Sequence, residues 1–144
     1  MKTIKDTPGR DKETSKAHKV VFNQMEKQIA FHEDAAVRYC EKEYPETCKQ
    51  FKQIMADQYV LFCKKQKNYG PGNISVGTDC RTDSDVKLSL TGLWFRINDK
   101  IQRLKQLIIL GHKDNVGESE QDTFQDLSVY GIIAQLVSAK VWGK

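Results

Sequence analysis

Two carboxylates, Asp122 and Asp126, stand four residues apart in the segment Glu118-Ser119-Glu120-Gln121-Asp122-Thr123-Phe124-Gln125-Asp126-Leu127-Ser128-Val129-Tyr130. On a helix turning about 100° per residue they lie roughly 40° apart on one face. Val129, Ile133 and Val137 continue that face, so the acids point where the apolar residues point. Carboxylates are rarely buried without a partner. The pattern calls for a metal ion, an arginine, a ligand, or a face open to water at that end. Asp122 and Asp126 with one further acid, Glu118 or Asp99, suit a single magnesium ion, which takes oxygen ligands and keeps several waters.

Two other segments carry candidate chemistry. Lys67-Asn68-Tyr69-Gly70-Pro71-Gly72-Asn73 follows Lys64 and Lys65. Its lysines are cationic donors, its glycines let backbone approach a ligand closely, and Tyr69 is able to stack on a base. It has neither the Gly-Lys-Ser/Thr ending of a P-loop nor a Gly-x-Gly-x-x-Gly fingerprint. Arg96, Asp99 and Arg103, three and four residues apart, share a helical face. That face is either solvated, with intrahelical ion pairs worth tenths of a kcal/mol each, or a second contact surface for another protomer or an anion. No nucleophile arrangement stands out, and His18, His32 and His112 are isolated from any Ser or Cys motif. Catalytic residues therefore stay unassigned.

Four helices must position these groups. The first is expected over about Lys16–Glu43, after a frayed polar arm of residues 1–15. Tyr44-Pro45 ends it, because the residue before proline disfavours the helical region, and Pro45 opens the second, which ends near Asn68. A long irregular loop, Tyr69 to about Ser89, comes next; loops of that length usually carry function. The third helix starts near Ser89 or Thr91, with Leu90, Leu93, Trp94, Ile97, Ile101, Leu104 and Ile108 as its core stripe, and Gly111 stops it. The fourth begins at Ser119 and runs to about Val141. The expected fold class is all-α, one four-helix domain over residues 16–144. Phe95, Leu110, Phe124 and Trp142 fall off the main stripes, and the patch they leave predicts a homo-oligomer.

Composition narrows the classes. The 144 residues are 39% hydrophobic, enough for one domain with a core. Net charge is +4, with 23 basic against 19 acidic residues, too small an excess to indicate nucleic-acid binding. No apolar run approaches the ~18 residues of a membrane span, and Met1 to Lys19 lacks the apolar centre of a secretory signal. Cys40, Cys48, Cys63 and Cys80 form no Cys-x-x-Cys pair. They read as reduced thiols in a cytoplasmic protein; a zinc site from Cys40, Cys48 and His32 has the wrong spacing.

Taken together, Lys67-Asn68-Tyr69-Gly70, Arg96-x-x-Asp99-Lys100-x-x-Arg103-Leu104 and Glu118-Ser119-x-x-Asp122-Thr123-x-x-Asp126-Leu127-x-x-Tyr130 resemble the nucleotide modification associated domain 1 family, common in bacteriophages. The resemblance covers about residues 50–140. It implies an all-α domain of phage nucleotide metabolism or DNA-base modification, distantly similar to nucleoside triphosphate pyrophosphatases of the MazG type. Those enzymes hold magnesium with acids on neighbouring helices. The chain departs from them, since the Glu-Glu-x-x-Glu motif is absent. The resemblance adds weight to Tyr69, Gly70, Arg96, Asp99 and Arg103 as ligand-binding residues, beside Lys67; Asp122 and Asp126, with Glu118 or Asp99, are the expected metal ligands. The expected ligand is a nucleotide or nucleotide-derived small molecule. It is either hydrolysed with Mg2+ or held without turnover, as a sponge holds a host immune signal. An oligomeric interaction module is the remaining alternative.

Overall fold

Proline and side-chain capping decide where the helices begin and end. The computed structural model describes Lys19 and residues 34–144. Among the described residues there are five α-helices, one π-helical turn and no strand. The expected arm over residues 1–15, and most of the expected first helix, lie outside the described residues. The chain divides after Lys64 into two units.

In the first unit α1 spans Ala35–Glu43. Asp34 is extended, at φ −69° and ψ 122°, and its carboxylate accepts the Ala36 N–H at 2.7 Å. A helix therefore starts here rather than continuing unbroken from Lys16, because a capping aspartate satisfies a donor that an uninterrupted helix would not leave open. Tyr44 leaves the helical region and Pro45 opens α2, Pro45–Tyr69, as the proline rule predicts. Glu41 and Lys52 pair across this corner at 2.6 Å. Ala56 is fully buried on α2, whereas Phe51, Ile54 and Tyr59 stay exposed.

The second unit starts in the last turn of α2. Gly70 closes that helix with a left-handed residue at φ +65°, its N–H donating to the Gln66 carbonyl at 2.8 Å. The expected long loop is mostly ordered. A single turn, α3 (Gly72–Ser75), follows Pro71, and α4 begins at Asp83 and runs to Leu104. The earlier start has a local cause. Thr82 Oγ1 accepts the Asp85 N–H at 3.1 Å, and the Asp85 carboxylate accepts the Thr82 N–H at 3.2 Å. This reciprocal capping box outcompetes Ser89 and Thr91 as a start. Ser89 is instead fully buried, and its hydroxyl lies 3.4 Å from the buried Cys80 sulfur.

A π-helical turn, Lys105–Ile109, ends α4. After an irregular linker, α5 runs Glu120–Ser138. It packs along α4. The core comprises Ile74, Cys80, Leu93, Thr123, Ile133, Val137 and Trp142. The buried side of α4 therefore centres on Ser89 and Leu93, and Trp94, Ile101 and Ile108 from the expected stripe are about half exposed, at 58%, 49% and 48%. The apolar arc of α4 is wider than α5 can cover, so periodicity alone placed its centre too far round.

Phe95, Leu110 and Phe124 are exposed, as their positions predict, but Trp142 is not. It is 4% exposed, and its indole N–H donates to the Pro71 carbonyl at 3.0 Å. Trp142 lies beyond α5, where helical phase no longer predicts direction. Trp142→Ala should destabilise this unit by about 3–5 kcal/mol, the usual range for deleting a buried aromatic. Trp142→Phe should cost less, since it keeps most of the apolar area and loses one hydrogen bond. Urea unfolding of the two variants checks the order.

Candidate functional site

Helix α4 brings Lys100 and Arg103 to the side that faces α5 and the linker before it. Arg103 is only 17% exposed at its side chain and sits 3.0 Å from Asp114 and 3.5 Å from the Glu118 carboxylate. Its guanidinium also donates to the Ser119 carbonyl at 3.3 Å, to the Glu118 carbonyl and to the Thr123 hydroxyl. A planar fork with five donors can satisfy so many acceptors at once, and an ammonium cannot. Asp114 in turn accepts the Gly117 N–H at 2.7 Å. The Arg103 guanidinium beside it holds the Asp114 carboxyl below its ordinary pKa.

Lys100 bridges two acids, Glu118 at 2.8 Å and Asp126 at 2.9 Å. Lys65, from the end of α2, reaches the other oxygen of Asp126 at 3.2 Å. Burial pushes the Asp126 carboxyl up, but Lys100 and Lys65 outweigh it and leave the pKa below the ordinary value. Hydrogen bonding to Glu118, then to Asp126, raises the pKa of Lys100. The result is a continuous chain of charge, Lys65–Asp126–Lys100–Glu118–Arg103–Asp114, with three cations against three carboxylates.

The acids expected to hold magnesium are thus differently employed. Asp122 is exposed and belongs to a capping box at the start of α5: its carboxylate accepts the Ser119 N–H at 3.3 Å, and Ser119 Oγ accepts the Asp122 N–H at 3.0 Å. Asp126 and Glu118 are neutralised by lysine and arginine. Among the described residues no group of three or more acid, histidine or cysteine side chains stands as a metal site would require. This donor set does not suit a divalent ion, which would have to displace two ammonium groups and compete with a helix cap. Cys40 and Cys63 are exposed, Cys48 is half-buried, and His32 lies outside the described residues.

The residues expected to touch a ligand separate into two groups. Arg103 is committed to the linker. Asp99 is exposed on α4, and Arg96, also exposed, donates to the Asn73 carbonyl at 2.9 Å. The Arg96 contact ties α4 to α3, where a solvated ion-pair face was one expectation. Lys67 and Tyr69 are exposed at the end of α2, Tyr69 to 66%. Side-chain positions at Gly70 and Gly72 would meet no atom within 4 Å, so the backbone there is open to approach. Sequence reasoning named Lys65 only as a cationic donor beside the loop and Lys100 only within a motif, and gave neither them nor Asp114 a partner. The available signal was that Lys100 lies on the Leu93 side of α4, where an unpaired ammonium would be costly.

No family model, curated protein or solved structure matches this chain, so the family resemblance rests on the three motifs themselves.

The network makes two measurable demands. Arg103→Ala should cost roughly 2–4 kcal/mol, because it strands several acceptors, and Arg103→Lys should recover only part of the loss. Stability should also follow pH with a definite sign. The folded pKa of Asp126 is lowered, so its contribution is complete above about pH 4 and is lost as pH falls through the folded value. The pKa of Lys100 is raised, so its contribution is complete below about pH 10 and is lost as pH rises through the folded value. Urea midpoints should form a plateau between these limits, and Asp126→Asn should flatten the acid side.

Proposed function

We propose that this protein binds a phosphate-bearing small molecule of the nucleotide class, and that it holds this ligand rather than hydrolysing it with a metal. The observation that carries the reading is the run of accessible cations and open backbone at the end of α2, beginning at Lys65. Accessible ammonium groups are what a phosphate requires. Lys65 remains half exposed, at 51%, so a ligand is able to reach its ammonium. Along the chain from it lie Lys67, the exposed ring of Tyr69 and the open backbone of Gly70 and Gly72. Lysines supply charge and a phenol ring supplies a stacking surface. Arg96 borders the same turn through Asn73.

Retention rather than turnover is favoured because the acids that would organise magnesium are spent on lysines, an arginine and a helix cap. A protein of this kind acts by sequestration. A setting in phage nucleotide metabolism, or in blunting a nucleotide immune signal, rests on the motif resemblance.

The test incubates the full chain with nucleoside mono-, di- and triphosphates and with inorganic pyrophosphate, each with and without Mg2+. Bound and released species are then separated. Unchanged nucleotide retained without metal is the expected result. Release of product only with Mg2+ would restore hydrolysis, and retention of nothing would end the proposal. Lys67→Ala with Tyr69→Ala should weaken binding about tenfold or more, the ~1.4 kcal/mol per decade of lost charge and stacking contacts. Unchanged affinity would remove both residues from the site.

A further inference from the structure

The turn that follows α2 is held by a segment 71 residues further along the chain. Beyond α5, Lys140 takes a left-handed conformation at φ +58°, and the Val141 N–H donates back to the Leu136 carbonyl at 3.1 Å. The Lys140 ammonium reaches Asp83, the first residue of α4, at 2.7 Å. Trp142 is 4% exposed and donates its indole N–H to the Pro71 carbonyl at 3.0 Å. Gly143, at φ +75°, lies so close to Pro71 that a Cβ added to it would stand 2.8 Å from the proline Cβ.

The Pro71 carbonyl does not need the indole. It already accepts the Ile74 N–H at 3.2 Å, the Ser75 N–H at 3.1 Å and the Ser75 hydroxyl at 3.2 Å. A carbonyl has two lone pairs, so these donors satisfy it. The Trp142 bond serves the buried indole N–H, which requires a partner, and it fixes where Pro71 sits.

Fixing Pro71 matters because of the residue before it. Lys67 and Tyr69 stand in the last turn of α2, and Gly70, at φ +65°, follows them. A glycine has the widest backbone freedom of any residue, so the end of α2 is free to swing unless the chain beyond Gly70 is anchored. Trp142 and Gly143 anchor Pro71, and Arg96 anchors Asn73 at 2.9 Å.

On the assignment of the Lys67–Asn73 turn to nucleotide binding, we propose that Trp142 and Gly143 are positioning residues for that site. They hold Pro71, and through it the ring of Tyr69, in the pose that receives the ligand. A surface fixed before binding loses less freedom on binding, and that raises affinity.

Equilibrium dialysis of the full chain against adenosine triphosphate without metal, well below each variant's unfolding midpoint, tests this role. Trp142→Phe removes the N–H and keeps most of the apolar area, and Gly143→Ala drives a methyl against the Pro71 ring. Each should weaken retention about fivefold or more, because the turn is no longer set in advance. Ile133→Ala, in the core of the same unit but on α5, should lower the unfolding midpoint and leave retention within about twofold. In a Tyr69→Ala background Trp142→Phe should have little further effect, since the side chain it positions is gone. Equal retention by the native chain and Trp142→Phe overturns the positioning role and leaves nucleotide binding standing. So does a loss in Ile133→Ala as large as that in Trp142→Phe, and so do losses at Tyr69 and Trp142 that simply add. No retention by the native chain ends both.

Discussion

The Arg103 guanidinium is the contact on which the second unit depends. It reaches from the body of α4 to Asp114 in the linker, to the carbonyls of Glu118 and Ser119, and to the hydroxyl of Thr123 in the first turn of α5. Thr123 is fully buried, so this cation helps seat the start of α5 against the core. The linker is irregular and has little apolar surface to hold it in place. One planar cation with many donors does what a hydrophobic cluster does elsewhere in the fold. Lys100 extends the same logic to Asp126, one turn deeper into α5.

Much of the architecture was readable from local chemistry. Pro45 opening α2 and Ser119 capping α5 are each dictated by a single residue's backbone or side chain, and they stand where expected. The start of α4 was not readable in the same way. Thr82 and Asp85 form as good a capping box as any in the chain, but they sit in a stretch rich in Asp, Ser and Thr, where several candidates compete. The buried side of α4 was also missed, because a helix apolar over a wide arc has no unique phase. Only the width and position of α5 decide which part of the arc is covered.

The candidate site shows a different limit. Two acids spaced by one helical turn are equally good ligands for a cation whether it is Mg2+ or an ammonium group. Sequence spacing places the carboxylates but does not say which cation the fold delivers to them. For Asp126 it delivers Lys100 and Lys65, one from α4 and one from a residue 61 positions away along the chain. For Asp122 it delivers the backbone of Ser119. The requirement stated by the sequence, that a carboxylate on an apolar-facing side needs a partner, holds for Asp126. The identity of that partner is a tertiary fact.

The π-helical turn at Lys105–Ile109 has a consequence for how the chain tolerates change in length. A π turn holds more residues per revolution than an α turn, so it absorbs an extra residue while the backbone stays hydrogen-bonded, here from the Leu110 N–H to the Lys105 carbonyl at 3.0 Å. It lies immediately after Arg103 and immediately before an irregular stretch. Losing one residue between Lys105 and Ile109 would return the backbone to regular α-helix and leave the downstream chain close to its present phase. Nothing upstream would move, and the irregular linker has room to take up the small displacement that remains. Single-residue insertions and deletions should therefore accumulate at this point across descendants of the chain, while the spacing from Lys100 to Arg103 stays fixed.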